Sequence, residues 1–189
     1  MREYLSLLAS VKIQAAIQAM AAGKVRSLQI EGLSGSDLTI NAAAISQILD
    51  RFAIVLPDEQ MATKFYQELD AILEDAPINR LFFPASDSIP LDKTSPSTNI
   101  LGWQISTLYQ IVANPGSTII VTSLQAMYDC LISQKSLSEE ALLISRGDML
   151  SINKLKSKLA QIGYTIQSEV EKVGDAAIRG GIIDFFSPS

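Results

Sequence analysis

The chain has 189 residues, 48% hydrophobic and 19% charged, which is enough apolar content for a packed core and too much for a disordered segment. Its net charge is −5 with Lys and Arg scattered, so it lacks the basic stripe that strong nucleic-acid binding requires. With 0 His and 1 Cys it excludes an intrachain disulfide and a Ser-His-Asp or Cys-His nucleophile, and it disfavours a zinc site.

No apolar run approaches the ~20 residues that span a bilayer. The first twenty residues are interrupted by Arg2, Glu3, Lys12 and Gln14, so they are not read as a signal peptide. A reducing cytoplasm is the expected compartment.

In chain order, residues 11–22 read as a helix that Ser10 caps and Gly23 ends, with Ile13, Ile17 and Met20 as its stripe. A strand is expected over 27–31, then a glycine-rich turn, then a helix over 37–49. Phe52 to Leu56 is a short continuous apolar run closed by Pro57, which fits a strand buried on both faces of a parallel sheet. Asp58 and Glu59 suit the positive end of the next helix, whose stripe is Met61, Phe65, Leu69, Ile72 and Leu73.

Residues 80–84 read as another buried strand, 85–97 as a Pro- and Ser-rich loop, and 98–113 as a helix striped by Leu101, Ile105, Leu108 and Val112. Asn114-Pro115-Gly116 is a turn, 118–122 a strand and 123–131 a short helix. Strands alternating with helices at this spacing predict a parallel sheet.

The pattern changes near Gln134. Leu142-Leu143-Ile144 reads as a strand, and Ser151 caps a helix carrying Ile152, Leu155, Leu159 and Ile162 up to Gly163. Strict alternation over 164–171 predicts a half-wet strand, and 177–186 a second, antiparallel one. The expected fold class is therefore α/β. A parallel-sheet domain of the phosphate-loop type covers 1–135, and a small α+β domain begins over 136–189. The stop at Ser189 suggests a piece of something longer.

A phosphate-binding loop has the pattern G-x-x-x-x-G-K-[ST] between a strand and a helix. Its glycines admit phosphates to backbone N–H groups, its lysine pairs with β and γ oxygens, and its hydroxyl holds Mg²⁺. In that register Gly32 is the first glycine and Thr39 the hydroxyl, with Gly35 inside the turn. Asp37 stands where the second glycine belongs and Leu38 where the lysine belongs. A carboxylate ~4 Å from a phosphate charge is repelled by roughly 4 kcal/mol at an effective dielectric of 20. The sequence thus predicts a degenerate, empty loop and no catalytic or metal-binding residue.

The stretch Glu31-Gly32-Leu33-Ser34-Gly35-Ser36 resembles the loop that opens the UvrB-like module of bacterial transcription-repair coupling factors (Mfd). Phe83-Pro84-Ala85 with Ile89-Pro90 and Ser95-Pro96 resembles the family's F-P-x-x-E-x-x-P-Y-x-x-x-S-P-H segment, although Ser86, Asp87 and Asp92 depart from it. Val121-Thr122-Ser123-Leu124-Gln125-Ala126 is similar to V-T-S-V-Q-A-L. Ala177 to Phe186, with Arg179-Gly180-Gly181 inside, is similar to A-V-R-G-G-I-L-D-I-F-P and is the most specific block.

The resemblance implies a protein that recognises stalled RNA polymerase, displaces it by ATP-driven translocation on double-stranded DNA and recruits UvrA. The polymerase-binding region and the motor, with its ATP and Mg²⁺, would lie downstream, and a C-terminal domain would mask this module. This chain would be the UvrB-like piece, non-catalytic, with Arg179 facing UvrA. The alternative is a nucleotide-binding, UvrB- or helicase-like half-domain of an excision-repair enzyme. Against UvrB itself, the spoiled loop and the short, aromatic-free stretch 84–97 leave no room for a DNA-clamping hairpin. Gly180 and Gly181 inside a strand suggest a bulge. Asp184 is expected to be structural, Trp103 partly buried, and Cys130 a buried, inert thiol.

Overall fold

The computed structural model describes residues 11–87, 97–140, 144 and 146–187. The chain divides into two compact units, one of Met1–Ala85 with Asn114–Asp129 and the other of Ser86–Ala113 with Cys130–Ser189.

The first unit contains α1 (Val11–Ala21), α2 (Ser36–Ile45), β1 (Arg51–Leu56), α3 (Glu59–Ile72), β2 (Asn79–Phe83) and β3 (Thr118–Ser123). The three strands form an all-parallel sheet in the order β1-β3-β2. Its register sets Phe52 beside Ile119 and Ile54 beside Val121, with Phe82 also beside Val121. That row and Leu56 pack with Ala62, Phe65, Leu69 and Leu73 of the α3 segment and with Ala42 and Ala43 of α2. Leu69 and Leu73 are fully buried, so truncating either to Ala costs about 2–5 kcal/mol.

Helix α3 starts where Asp58, in extended conformation, accepts a 2.7 Å hydrogen bond from the Met61 N–H. It ends at Leu73, where Arg80 closes it. The guanidinium Nη1 donates to the carbonyls of Leu73 and Ile78, both at 3.0 Å, and of Ala76 at 3.4 Å. Nε donates to Asp70 at 2.6 Å.

Three expectations fail in this unit. Residues 27–31 form no strand and are exposed throughout. The stretch offers only Leu28 and Ile30 between Ser27, Gln29 and Glu31, too polar for a parallel strand covered on both faces. Strand β1 is not buried on both faces either, for Ala53 and Val55 are exposed. After β3, the expected helix over 123–131 is only a 3₁₀ turn, Ala126–Tyr128, capped by Ser123 Oγ accepting from the Ala126 N–H at 3.2 Å.

The second unit contains α4 (Thr98–Ala113), α5 (Gln134–Glu140), α6 (Ile152–Gln161), β4 (Thr165–Gln167), β5 (Asp175–Arg179) and β6 (Ile182–Phe185). Its sheet has the order β4-β5-β6 and is mixed: β4 runs parallel to β5, whereas β5 and β6 are antiparallel. The expectation of an antiparallel unit is thus corrected at β4 and β5, whose junction holds the buried Asp175. Its carboxylate accepts from the backbone N–H groups of Glu171 (3.3 Å) and Lys172 (3.1 Å) and from Gln167 Nε2 (3.1 Å). These bonds tie down the connection that returns the chain from β4 to β5.

The expected strand over 177–186 is a hairpin. Arg179 pairs with Ile182, leaving Gly180-Gly181 as a two-residue turn with φ +61° at Gly180. Of the expected α4 stripe, Leu101, Ile105 and Val112 are exposed, while Gln104 and Thr107 are buried. Trp103 is 49% exposed and Cys130 is exposed, not buried. The expected strand at 142–144 lies outside the described residues except for Ile144, which is in no strand.

Candidate functional site

The glycine-rich turn leads into α2, but no strand precedes it, so the strand–loop–helix context of a phosphate loop is absent. Gly32 has φ +84° and Gly35 has φ +54°, left-handed values that favour glycine. A Cβ at either position would meet nothing within 4 Å, so the requirement is conformational and not spatial. Gly35 is the N-cap of α2 and supplies no side-chain cap. The Asp37 and Leu38 N–H groups bond back to Ser34 and Gly35 carbonyls at 3.2 and 3.3 Å.

Asp37 is exposed in the first turn of α2, where its charge suits the helix dipole. Leu38 is 40% exposed and offers no cation. Thr39 is 1% exposed, and its Oγ1 donates to Glu68 Oε2 on α3 at 3.0 Å. The hydroxyl that a phosphate loop turns towards Mg²⁺ is here turned inward to fasten α2 onto α3. Glu68 is also 4.0 Å from Lys64 one helical turn earlier. Two carboxylates, Asp37 and Glu68, therefore attend the turn.

At the C-terminal edge of the parallel sheet, where α/β folds place ligands, an acid that the motif reading passed over holds the strands together. Glu59, the first residue of α3, accepts the Ser123 hydroxyl at 2.6 Å on one oxygen and the Ala85 N–H at 3.1 Å on the other. Beside it, the buried Thr122 hydroxyl donates to the Phe83 carbonyl at 2.8 Å. The polar groups at this edge are consumed by one another. The signal for Glu59 was an acid at a helix start followed by a Ser at a strand end, but only the fold brings them together.

Arg179 ends β5 on the rim of the second unit, with its side chain 62% exposed. Its Nη2 donates to Asp184 Oδ2 at 3.0 Å across the hairpin. The register puts Ala177 opposite Asp184 and Arg179 opposite Ile182, so all four share one face. Ile182 is 63% exposed. The face thus offers an apolar side chain beside an oriented cation–anion pair. Arg179 and the glycine-rich turn lie in different units.

Among the described residues, no helix is long and apolar enough to cross a membrane and no three His, Cys, Asp or Glu cluster as a metal site.

No family model matches the chain. It is 29% identical over 137 residues to the transcription-repair-coupling factor of Rickettsia bellii, covering 72% of this chain and 12% of that protein. It is 28% identical over 158 residues to that of Haemophilus influenzae, covering 82% and 13%. It is 26% identical over 149 residues to that of Escherichia coli, covering 77% and 13%. The resemblance to transcription-repair coupling factors read from the motifs is thereby borne out, and the chain spans about an eighth of the length of the relatives it matches.

Proposed function

We propose that this chain is a UvrB-like, non-catalytic docking module of a transcription-repair coupling factor, and that it recruits UvrA through the β5–β6 hairpin face. Its first unit is then a phosphate-loop domain that has given up nucleotide. The observation that carries this reading is the sealed turn at Gly32 to Thr39. The lysine position is a leucine, an acid replaces the second glycine, and the Thr39 hydroxyl is spent on Glu68. The RNA polymerase contact, the double-stranded DNA motor with its ATP and Mg²⁺, and a masking C-terminal domain belong to the longer protein in this reading. Its compartment is the cytoplasm.

The hairpin suits docking on physical grounds. A guanidinium already aligned by Asp184 loses little rotamer freedom when a partner carboxylate approaches. The exposed Arg179–Asp184 pair is worth only about 0.2–1 kcal/mol, so exchanging or extending it is cheap. Ile182 beside it supplies apolar area that a partner would desolvate.

Two measurements test the reading. UvrA binding to this chain, followed by surface plasmon resonance, is expected to weaken at least about tenfold in Arg179→Ala, since truncating one partner of a buried charge pair costs about 2–5 kcal/mol. Unchanged affinity would make Arg179 a bystander. Titration with a fluorescent ATP analogue is expected to show no saturable binding. Micromolar binding abolished by Gly32→Val would restore the nucleotide-binding alternative.

A further inference from the structure

Helix α4 turns its apolar stripe outward. At about 100° per residue, Leu101, Ile105, Leu108 and Val112 fall within about 60° of one another. Leu101, Ile105 and Val112 are 45%, 38% and 41% exposed, and Leu108 is half-buried. The covered side of the helix lies about 100° away and is the more polar one. It carries the buried Gln104 and Thr107 between the half-buried Ile100 and Ile111. A helix that serves only its own core buries its apolar stripe and leaves its polar side to water. Helix α4 does the reverse.

The order of residue types within the stripe is specific. Its spacing is four, three and four residues, the alternation of a heptad seam. Ile105 and Val112 take the a positions, and Leu101 and Leu108 the d positions. A β-branched residue at a with leucine at d is the combination that favours two parallel helices over three or four. The flanking e and g positions are Gly102, Gln104, Tyr109 and Ile111, none of them charged. The whole of α4 has no Asp, Glu, Lys or Arg, in a chain that is 19% charged with a net charge of −5.

We infer that the outer stripe of α4 is a docking seam for a second copy of this chain, the two helices lying parallel and in register. A different polypeptide is told apart by charges on the seam and its flanks, attractive for the right partner and repulsive for the wrong one. Helix α4 has no charge with which to choose another chain and none to repel its own copy. A two-fold axis along the seam sets each stripe residue against its own counterpart, so one stripe supplies both halves of the contact. The helix has 16 residues and so spans only about two heptads, too few for an autonomous coiled coil. It is held in place by its own unit and lends only its outer side. The area buried falls short of the ~1,200 Å² of a standard interface, which makes the dimer weak and concentration-dependent. The inference rests neither on the Arg179 reading nor on the state of the glycine-rich turn.

The test is sedimentation equilibrium of the whole chain under reducing conditions, from about 10 μM to about 1 mM, where an interface of this size dissociates. The average mass should climb towards that of a dimer. Ile105→Lys, which sets two like charges against each other in the seam, should raise the dissociation constant at least about tenfold. Met149→Lys, the same change of charge at a fully exposed apolar residue off the helix, should leave it unaltered. Orientation is read by oxidative cross-linking in a Cys130→Ser background, which removes the exposed native thiol. Leu101→Cys should form a disulfide-linked dimer, since the seam brings the two copies of residue 101 to the Cα separation of about 4.4–6.8 Å that a disulfide needs. Gln110→Cys, exposed on the opposite side of α4, should not. The inference is overturned by a monomer mass up to about 1 mM, by a dimer that survives Ile105→Lys, by an equal loss in Met149→Lys, or by equal cross-linking at positions 101 and 110. Circular dichroism of each variant establishes that it is folded.

Discussion

Arg80 is where the first unit is most open to a quantitative test. It follows the end of α3 as the second residue of β2, and its side chain is 19% exposed. Its one guanidinium reaches three carbonyls of the turn that follows the helix, Leu73, Ala76 and Ile78, of which the first two also accept the Ala76 and Ile78 N–H groups at 2.8 Å. The two bonds at 3.0 Å are the strong ones, and that at 3.4 Å adds little. A charge-assisted hydrogen bond is worth about 1.5–3 kcal/mol net, but two made by one group are not additive, and water can reach the freed carbonyls. The clamp is therefore worth about 2–3 kcal/mol. The Asp70 ion pair, with Asp70 51% exposed, adds at most about 1 kcal/mol.

Arg80→Ala should thus cost about 3 kcal/mol and Asp70→Ala less than about 1. Arg80→Lys should recover only the ion pair, because an ammonium cannot span the carbonyls that the planar fork reaches together. Urea unfolding followed at 222 nm gives the midpoints. Hydrogen exchange of the α3 amides assigns the change to the first unit, which matters if the two units unfold separately. An Arg80→Ala cost below about 0.5 kcal/mol, or an Asp70→Ala cost equal to it, would refute the carbonyl clamp.

Glu59→Gln should lower stability by about 1–3 kcal/mol, because the amide cannot accept on both sides from Ser123 and Ala85, and Ser123→Ala should be non-additive with it. A double-mutant cycle in urea measures the coupling, and simple additivity would deny the bridge. The Tyr66 phenol is held above its ordinary pKa of 10.0, first by burial and then by the Asp70 charge, with Arg80 pulling the other way. A raised folded-state pKa means that the neutral ring's contribution is complete below pH 10 and is lost as pH climbs through the higher folded value. Tyr66→Phe should therefore flatten the loss of urea resistance above pH 10, and an unchanged profile would contradict this.

The sequence was most legible where one physical pattern governed a whole element. Asp58, Phe65 and Leu69 announce α3 by cap and stripe, and Ile119 to Thr122 announce a buried strand by continuous apolarity. Both succeed because burial on the α3-facing side of the sheet decides them. What was misread depended on partners far along the chain. Ser27 to Glu31 alternates like a strand, but an alternating pattern says nothing of whether a neighbour exists to pair with it. The parallel course of β4 beside β5 is secured by the buried Asp175, whose bonds to the Glu171 and Lys172 N–H groups no periodicity reveals. The Gly180-Gly181 turn was legible and overlooked: two glycines between β-formers are a hairpin signal before they are a bulge.

The glycine-rich turn shows why a motif should be read for its backbone and its side chains separately. Gly32 and Gly35 answer to backbone angles, and those angles persist because the turn must still deliver the chain into α2. The charge-bearing positions serve the fold. Asp37 complements the helix dipole, and Thr39 fastens α2 to α3 through Glu68. Restoring a lysine at Leu38 would then not restore affinity, since an incoming phosphate would still meet Asp37 and would have to displace the Thr39–Glu68 bond. Recovery of nucleotide binding should require Asp37→Gly, Leu38→Lys and Glu68→Gln together. A Leu38→Lys variant that bound Mg·ATP alone in calorimetry would show that the missing cation, and not the settled carboxylates, is what keeps the turn empty.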